Sequence, residues 1–132
     1  MKICGWGRIS DSMLNMFFFI NILNQNFIEK LAQVSEDLHC ARVGIVPENV
    51  CRQMFGPTIT SGTICQSAYE MKGTCEGDSG GPMTAIGSEN KEVLIGVTSF
   101  STRTGCSNTG PRVFTRVSEY LDWIDSKTSA IK

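Results

Sequence analysis

The chain has 132 residues, the length of one domain, and its 12 basic and 13 acidic side chains leave a net charge of −1. This balance gives no electrostatic reason to expect nucleic acid as a partner. The six cysteines show neither Cys-x-x-Cys nor His-rich spacing, so disulfides in an oxidising compartment are favoured over a zinc site, and no metal or cofactor is expected.

The chain begins with a predicted strand over residues 3–8, whose Trp6 is expected in a core. Residues 13–34 then form an atypical insertion without a period of 2 or 3.6. Its apolar part, Met13 to Leu23, is too short to cross a bilayer, so no membrane span is expected. No small-x-small cleavage site follows it, so it is not a convincing signal peptide. The insertion has three interpretations: a gene-model error or translated intron, a loop that touches a membrane or a partner, or a core helix.

From residue 41 onwards the pattern is mainly that of short strands between turns. A helix is predicted over Pro47–Phe55 and stops at Gly56, and a second follows Ser118 as its N-cap because apolar residues recur there at helical spacing. The fold class predicted is all-β, an antiparallel barrel with a C-terminal helix. Its strands are predicted at Ala41–Val46, Thr58–Cys65, Pro82–Ile86, Lys91–Phe100 and Val113–Val117.

The stretch Gly77-Asp78-Ser79-Gly80-Gly81-Pro82 carries the strongest chemical signal. Glycines allow strained backbone angles and a close approach to substrate. Successive N–H groups in such a turn converge on an anion. Acyl transfer needs this combination of a hydroxyl nucleophile and N–H donors for the developing oxyanion. The alternative is an ordinary glycine-rich turn with a surface serine.

Further segments around the serine are Gly5-Trp6-Gly7, Thr63-Ile64-Cys65, Gly73-Thr74-Cys75, Gly96–Phe100, Pro111–Val117 and Tyr120–Ile124. Together with the serine loop they resemble the trypsin/chymotrypsin family of serine proteases, and within it the arthropod chymotrypsin and collagenolytic branch. The resemblance covers residues 3–11 and about 40–126. It implies the second of two packed β-barrels with the first barrel missing, so the chain is expected to be a truncated form.

The resemblance also implies roles for individual residues. Ser79 is the nucleophile, and the N–H groups of Gly77 and Ser79 form the oxyanion hole. Asp78 is the acid that pairs with a new N-terminal ammonium after zymogen cleavage. The residues implied for the specificity pocket are Gly73, Arg112, Ser99, Phe100 and Ser101.

Arg112 departs from the glycine usual in the family at its position. A buried, unpaired guanidinium is costly. Arg112 could therefore turn outward and leave an apolar pocket, pair with Glu76, or meet an acidic substrate side chain. Cleavage after Lys or Arg is expected least.

Six cysteines allow fifteen pairings, and the sequence alone does not choose among them. The resemblance implies Cys51–Cys65 and Cys75–Cys106. Cys4 and Cys40 lie on strands expected to be neighbours, so they either form a third disulfide or remain two thiols.

The missing catalytic base limits what this chain can do. His39 is the only histidine, and its surroundings do not resemble the catalytic His segment of the family, so we interpret it as a bystander. Without a base the serine is a poor nucleophile. The leading hypothesis is a secreted serine endopeptidase acting on a protein or peptide, of which this chain alone is inactive and needs the first barrel. The alternatives are a non-catalytic homologue acting as a binding or decoy module, and a degenerate product that never folds.

Overall fold

The computed structural model describes residues 1–9, 34–67, 72–102, 106 and 110–129. Of the insertion at 13–34 only Val34 is among them, so the three interpretations of that insertion stay predictions. Within the described ranges, no helix is long and apolar enough to cross a bilayer.

One curled antiparallel sheet forms the barrel, and a helix follows it at the C-terminal end. The strands are β1 (Lys2–Gly5), β2 (His39–Arg42), β3 (Ile45–Val46), β4 (Thr63–Gln66), β5 (Pro82–Ile86), β6 (Glu92–Ser101) and β7 (Arg112–Arg116). The helices are α1 (Glu48–Phe55) and α2 (Leu121–Thr128), and 3-10 turns lie at Gly56–Thr58, Ser88–Asn90 and Val117–Tyr120. The strand order is β2-β1-β5-β6-β7-β4-β3, which confirms the predicted fold class.

The two edges of this sheet meet at residues 43 and 44. Strands β2 and β3 are at opposite ends of the strand order, yet only Val43 and Gly44 separate them. The Val43 N–H donates to the Met1 carbonyl (3.0 Å), and the Gly44 carbonyl accepts from the Ser67 N–H (3.0 Å). Since the three steps of backbone from Arg42 to Ile45 span at most about 11 Å, the sheet must curl until its edges meet. The single strand predicted over Ala41–Val46 is therefore wrong in detail, because the chain bends there to close the barrel.

The barrel interior is filled by apolar side chains from four strands. They are Ile3, Ile64, Met83 and Phe114, each no more than 5% exposed. Gly96 on β6 completes the packing by leaving space. A Cβ at that position would lie 3.2 Å from the Phe114 Cβ and 3.3 Å from the Met83 Cβ.

A second buried cluster lies outside the barrel, under α1. The helix begins after Pro47, carries a Glu48–Arg52 ion pair one turn apart, and ends where Gly56 takes a φ of +62°. It covers the sheet with Phe55, whose ring lies edge-on to that of Phe100 at a centroid distance of 5.5 Å. The buried members of the cluster are Cys51, Ile59, Cys65 and Val113.

The strand predicted over Thr58–Cys65 begins only at Thr63, because Gly56–Thr58 forms a 3-10 turn. Two further local predictions are wrong. The first strand ends at Gly5, and Trp6 is 55% exposed, because the chain bends there and brings the Gly7 N–H to Asp78. Ser118 is not an N-cap. It lies inside the 3-10 turn that begins at Val117, so its backbone is already in a helical turn where an N-cap is extended.

Phe114→Ala should be the most damaging single change in the core. The ring is 0% exposed, and its neighbours across the barrel can close the space only in part. We expect the free energy of unfolding to fall by about 3–5 kcal/mol. Leu94→Ala on β6 is the control, since Leu94 is 45% exposed and should cost no more than about 0.5 kcal/mol. Urea unfolding followed by circular dichroism measures both, and equal losses would contradict this assignment of the core.

Candidate active site

The serine lies at the exposed corner of two consecutive turns. The Asp78 N–H donates to the Cys75 carbonyl (3.0 Å), and the Gly81 N–H donates to the Asp78 carbonyl (2.9 Å). The third residue of each turn is a glycine with positive φ, +95° at Gly77 and +81° at Gly80. This is the pattern of type II turns, which require a residue without a Cβ at that position. The glycines therefore set the path of the loop.

This loop also contains two backbone donors without a partner. In the part of the chain that the structure describes, the N–H groups of Gly77 and Ser79 donate to no other group. Ser79 itself is exposed. An exposed serine in the same loop as two such N–H groups suits the attack on a carbonyl whose oxygen becomes negative.

The Asp78 carboxylate turns away from the surface and is held by backbone donors. Its Oδ1 accepts from the Gly7 N–H (2.8 Å) and its Oδ2 from the Cys75 N–H (2.8 Å). The carboxylate fits because two glycines make room for it. A Cβ at Gly5 would lie 1.9 Å from Oδ1, and one at Gly7 would lie 2.5 Å from Cγ. The glycines of the Gly-Trp-Gly segment thus have a direct role in holding the serine loop.

Arg8 adds two more contacts to the same loop. Its N–H donates to the Glu76 carbonyl (2.8 Å), and its Nη1 lies 2.6 Å from the Glu76 Oε2. The sequence carries no signal for this role of Arg8, because Arg8 and Glu76 are 68 positions apart. Residues 5–8, at the end of β1, therefore hold the serine loop from its inner side.

The loop is fixed on its other side by β6. The Gly80 N–H donates to the Thr98 carbonyl (3.0 Å), and the Thr98 N–H donates to the Gly81 carbonyl (2.9 Å). The pairing of β5 with β6 ends at Val97, and a bulge lies between Thr98 and Phe100 in the pairing with β7. Bulges re-aim side chains at the ends of paired strands. Residues 99–101 thus continue past the serine loop with no strand partner on the β5 side within the described residues.

The predicted pocket residues are brought together in part. A Cβ at Gly73 would lie 3.1 Å from the Arg112 Nε, so these two are in contact. Arg112 is 1% exposed, which excludes the outward orientation, and Glu76 is bonded to Arg8. The Phe100 ring packs against Phe55 of α1.

A cavity of about 190 Å³ lies on the inner side of the loop. Its lining includes Ile3, Gly5, Ala41, Thr74 and Asp78. His39 also lines it, from the exposed strand β2 opposite Gly5. Among the described residues, no hydrogen bond joins the His39 ring to Ser79.

The chain has three disulfides, two of them with cysteines that line this cavity. Cys75–Cys106 borders the serine loop, Cys4–Cys40 joins β1 to β2 at directly opposed positions, and Cys51–Cys65 joins α1 to β4. The first and last are the pairs that the resemblance implies, and the Cys4–Cys40 pair is the open alternative that the structure adopts. No cysteine is left as a thiol.

The model of the Trypsin family matches residues 26–124, three quarters of the chain, and that range includes the serine loop. The chain belongs to the trypsin family of serine proteases. Its relatives include brachyurin of Leptuca pugilator, 36% identical over 94% of this chain, and kallikrein-8 of Homo sapiens, 36% identical over 92%. Collagenase of Hypoderma lineatum is 39% identical over 66% of the chain.

A solved structure supports the same relationship. The structure of HL collagenase at 1.7 Å resolution covers 97% of this chain with a TM-score of 0.69 and 29% identity. The chain in turn covers 45% of that structure, 44% of brachyurin and 38% of kallikrein-8. It therefore spans less than half the length of these trypsin-family relatives. The arthropod relatives include collagenolytic enzymes.

Proposed function

We propose that this chain is the serine-bearing half of a secreted serine endopeptidase. The observation that carries the proposal is an exposed Ser79 in a loop where the N–H groups of Gly77 and Ser79 have no acceptor within the described chain. The three disulfides and the trypsin-family relatives support a secreted or extracellular location.

In the proposed reaction the Ser79 Oγ attacks the carbonyl carbon of a substrate peptide bond. The carbonyl oxygen becomes negative and receives hydrogen bonds from Gly77 and Ser79. The Oγ proton passes to a histidine, which returns it to the leaving amine as the C–N bond breaks, and water then hydrolyses the acyl ester. On the β5 side, residues 99–101 of β6 have no strand partner among the described residues, and an extended substrate can bind along this edge.

The histidine and its orienting acid come from a first barrel in this proposal. Apolar residues next to the serine loop support such a packing partner. Trp6 is 55%, Ile9 72% and Val34 57% exposed. The Trp6 carbonyl accepts from the Ser35 N–H (2.8 Å), so these residues lie on one side of the loop. A further barrel would remove them from water.

Asp78 gives the proposal its activation step. Its carboxylate lines the 190 Å³ cavity, and each of its oxygens accepts only one of the hydrogen bonds found within the described chain. A carboxylate oxygen can accept a second hydrogen bond. By resemblance, the N-terminal ammonium of the first barrel enters here after zymogen cleavage and fixes the serine loop.

Residues 1–132 alone should label with a fluorophosphonate at least roughly a thousandfold more slowly than the same chain joined to an activated first barrel of a relative. The reason is that His39, the one histidine of the sequence, makes no hydrogen bond to Ser79 within the described residues, so the proposal takes the base from the first barrel. Ser79→Ala should abolish labelling of the joined protein. Ser88→Ala, a change at an exposed turn serine, should leave it intact.

The same experiment separates the competing function. A joined protein that folds but is not labelled would favour a non-catalytic homologue that binds without cleaving. Rapid, Ser79-dependent labelling of residues 1–132 alone would show that the chain contains its own base and would refute the need for a first barrel.

A further inference from the structure

Arg112 occupies the end of the barrel interior. It lies two residues before Phe114 on β7, so it faces the same side of the sheet as that buried ring. Gln66, its register partner on β4, lies two residues after Ile64 and is also 0% exposed. The barrel interior therefore ends in two long polar side chains beneath the residues that border the serine loop.

The guanidinium is bound by backbone carbonyls from three places in the chain. Its Nε donates to the Thr74 carbonyl (3.1 Å), its Nη1 to that of Gly110 (3.3 Å) and its Nη2 to that of Cys106 (2.8 Å). Each of its nitrogens is thus engaged by the protein. The planar guanidinium of arginine has five N–H donors in a fixed arrangement, so it can bind several acceptors at once. A lysine ammonium on its flexible stem has no such fixed geometry.

The stem of the same side chain fills the space that Gly73 leaves. A Cβ on Gly73 would lie 3.1 Å from the Arg112 Nε and 3.3 Å from its Cγ. Only 1% of Arg112 is exposed, so a water-sized sphere barely reaches it. A substrate side chain, which is larger than water, cannot reach the guanidinium without displacing it from its carbonyl acceptors.

We propose that Arg112 closes the floor of the primary specificity pocket, so that the enzyme cleaves after residues with small uncharged side chains such as Gly, Ala and Ser. This inference rests on the proposed peptidase function. Large aromatic side chains are excluded because the Arg112 side chain already fills the space that such a ring would need. Lysine and arginine are excluded by the same lack of depth. Acidic side chains gain no ion pair with the guanidinium, because each of its nitrogens already donates to a backbone carbonyl.

The test uses the activated joined protein and a peptide library varied at the cleaved residue. Small uncharged residues should be preferred over Phe, Lys and Glu by roughly tenfold or more in kcat/KM. Dominant cleavage after an aromatic, basic or acidic residue would overturn the inference. Fluorophosphonate labelling of the same sample tests the peptidase function separately. Labelling with the wrong profile refutes only the closed pocket, whereas no labelling refutes both.

A second measurement needs no activity. Phenylglyoxal should modify the exposed Arg42 of residues 1–132 at least roughly tenfold faster than Arg112, as followed by peptide mass spectrometry, because burial blocks the reagent. Equal rates in the folded chain would overturn the inference. Arg112→Ala should open the pocket and raise kcat/KM for Phe relative to Ala. If this variant does not fold, the cleavage profile of the wild-type protein and the phenylglyoxal rates of Arg42 and Arg112 still test whether Arg112 closes the pocket.

Discussion

Asp78→Asn should lower the free energy of unfolding by about 2–3 kcal/mol and reduce peptidase activity of the joined protein by at least roughly a hundredfold. Both carboxylate oxygens accept a backbone N–H, from Gly7 and from Cys75. An amide has one oxygen, so one of these N–H groups would face an NH₂ group and lose its acceptor. The turns that position Gly77 and Ser79 then lose their inner anchor, and misplaced oxyanion donors cost two to three orders of magnitude in rate.

The matched control is Asp125→Asn, which makes the same change of charge on an exposed residue of α2. Urea unfolding gives the stability of both variants, and kcat with a peptide substrate gives the activity. The anchoring role would be refuted if Asp78→Asn and Asp125→Asn were indistinguishable in both measurements.

Gly5→Ala should have nearly the same effect without changing any charge. The added Cβ would lie 1.9 Å from the Asp78 Oδ1, a distance that no pair of non-bonded atoms tolerates. The carboxylate must then rotate out and give up its two backbone donors. We expect a loss of about 2–4 kcal/mol in the free energy of unfolding and a fall in kcat similar to that of Asp78→Asn.

Gly44→Ala is the control for the loss of a glycine. A Cβ there would meet only the Ser67 Cβ, at the ordinary distance of 3.8 Å. Its stability should change by no more than about 1 kcal/mol in either direction. Hydrogen exchange at residues 75–81 adds a local readout, and it should accelerate in Gly5→Ala but not in Gly44→Ala. Unchanged exchange in Gly5→Ala would show that Asp78 does not hold the loop.

Local pattern was enough to predict several parts of the fold. The hairpin of Pro82–Ile86 with the following strand, the helix ending before Gly56, and the all-β class each rest on neighbouring residues, whose alternation or turn chemistry is visible in the sequence. The resemblance then supplied the family, which the matching family model confirms. The roles assigned to Ser79 and Gly77 remain proposals that the turn geometry supports.

The sequence does not predict the contacts between distant segments. Nothing near Arg8 shows that Glu76 will lie beside it, and nothing near Gly5 shows that it makes room for a carboxylate. The position of Arg112 likewise depends on the carbonyl group of Thr74, which is 38 positions away and has no sequence signature. The size and apolar character of Trp6 predict a core position, but the hydrogen bond from the Gly7 N–H to Asp78 bends the chain there and leaves the ring exposed.

Closure of the barrel by residues that are distant in sequence also affects how the chain folds. Lys2 of β1 pairs with Thr84 of β5, so this pair must wait until more than eighty residues have been made. At roughly 5–20 residues per second, the first strand waits several seconds for that partner. Its other neighbour arrives much earlier, since Cys4 and Cys40 are 36 positions apart. An early Cys4–Cys40 bond would keep β1 paired in register during synthesis, and folding should otherwise be slow because so many contacts are non-local.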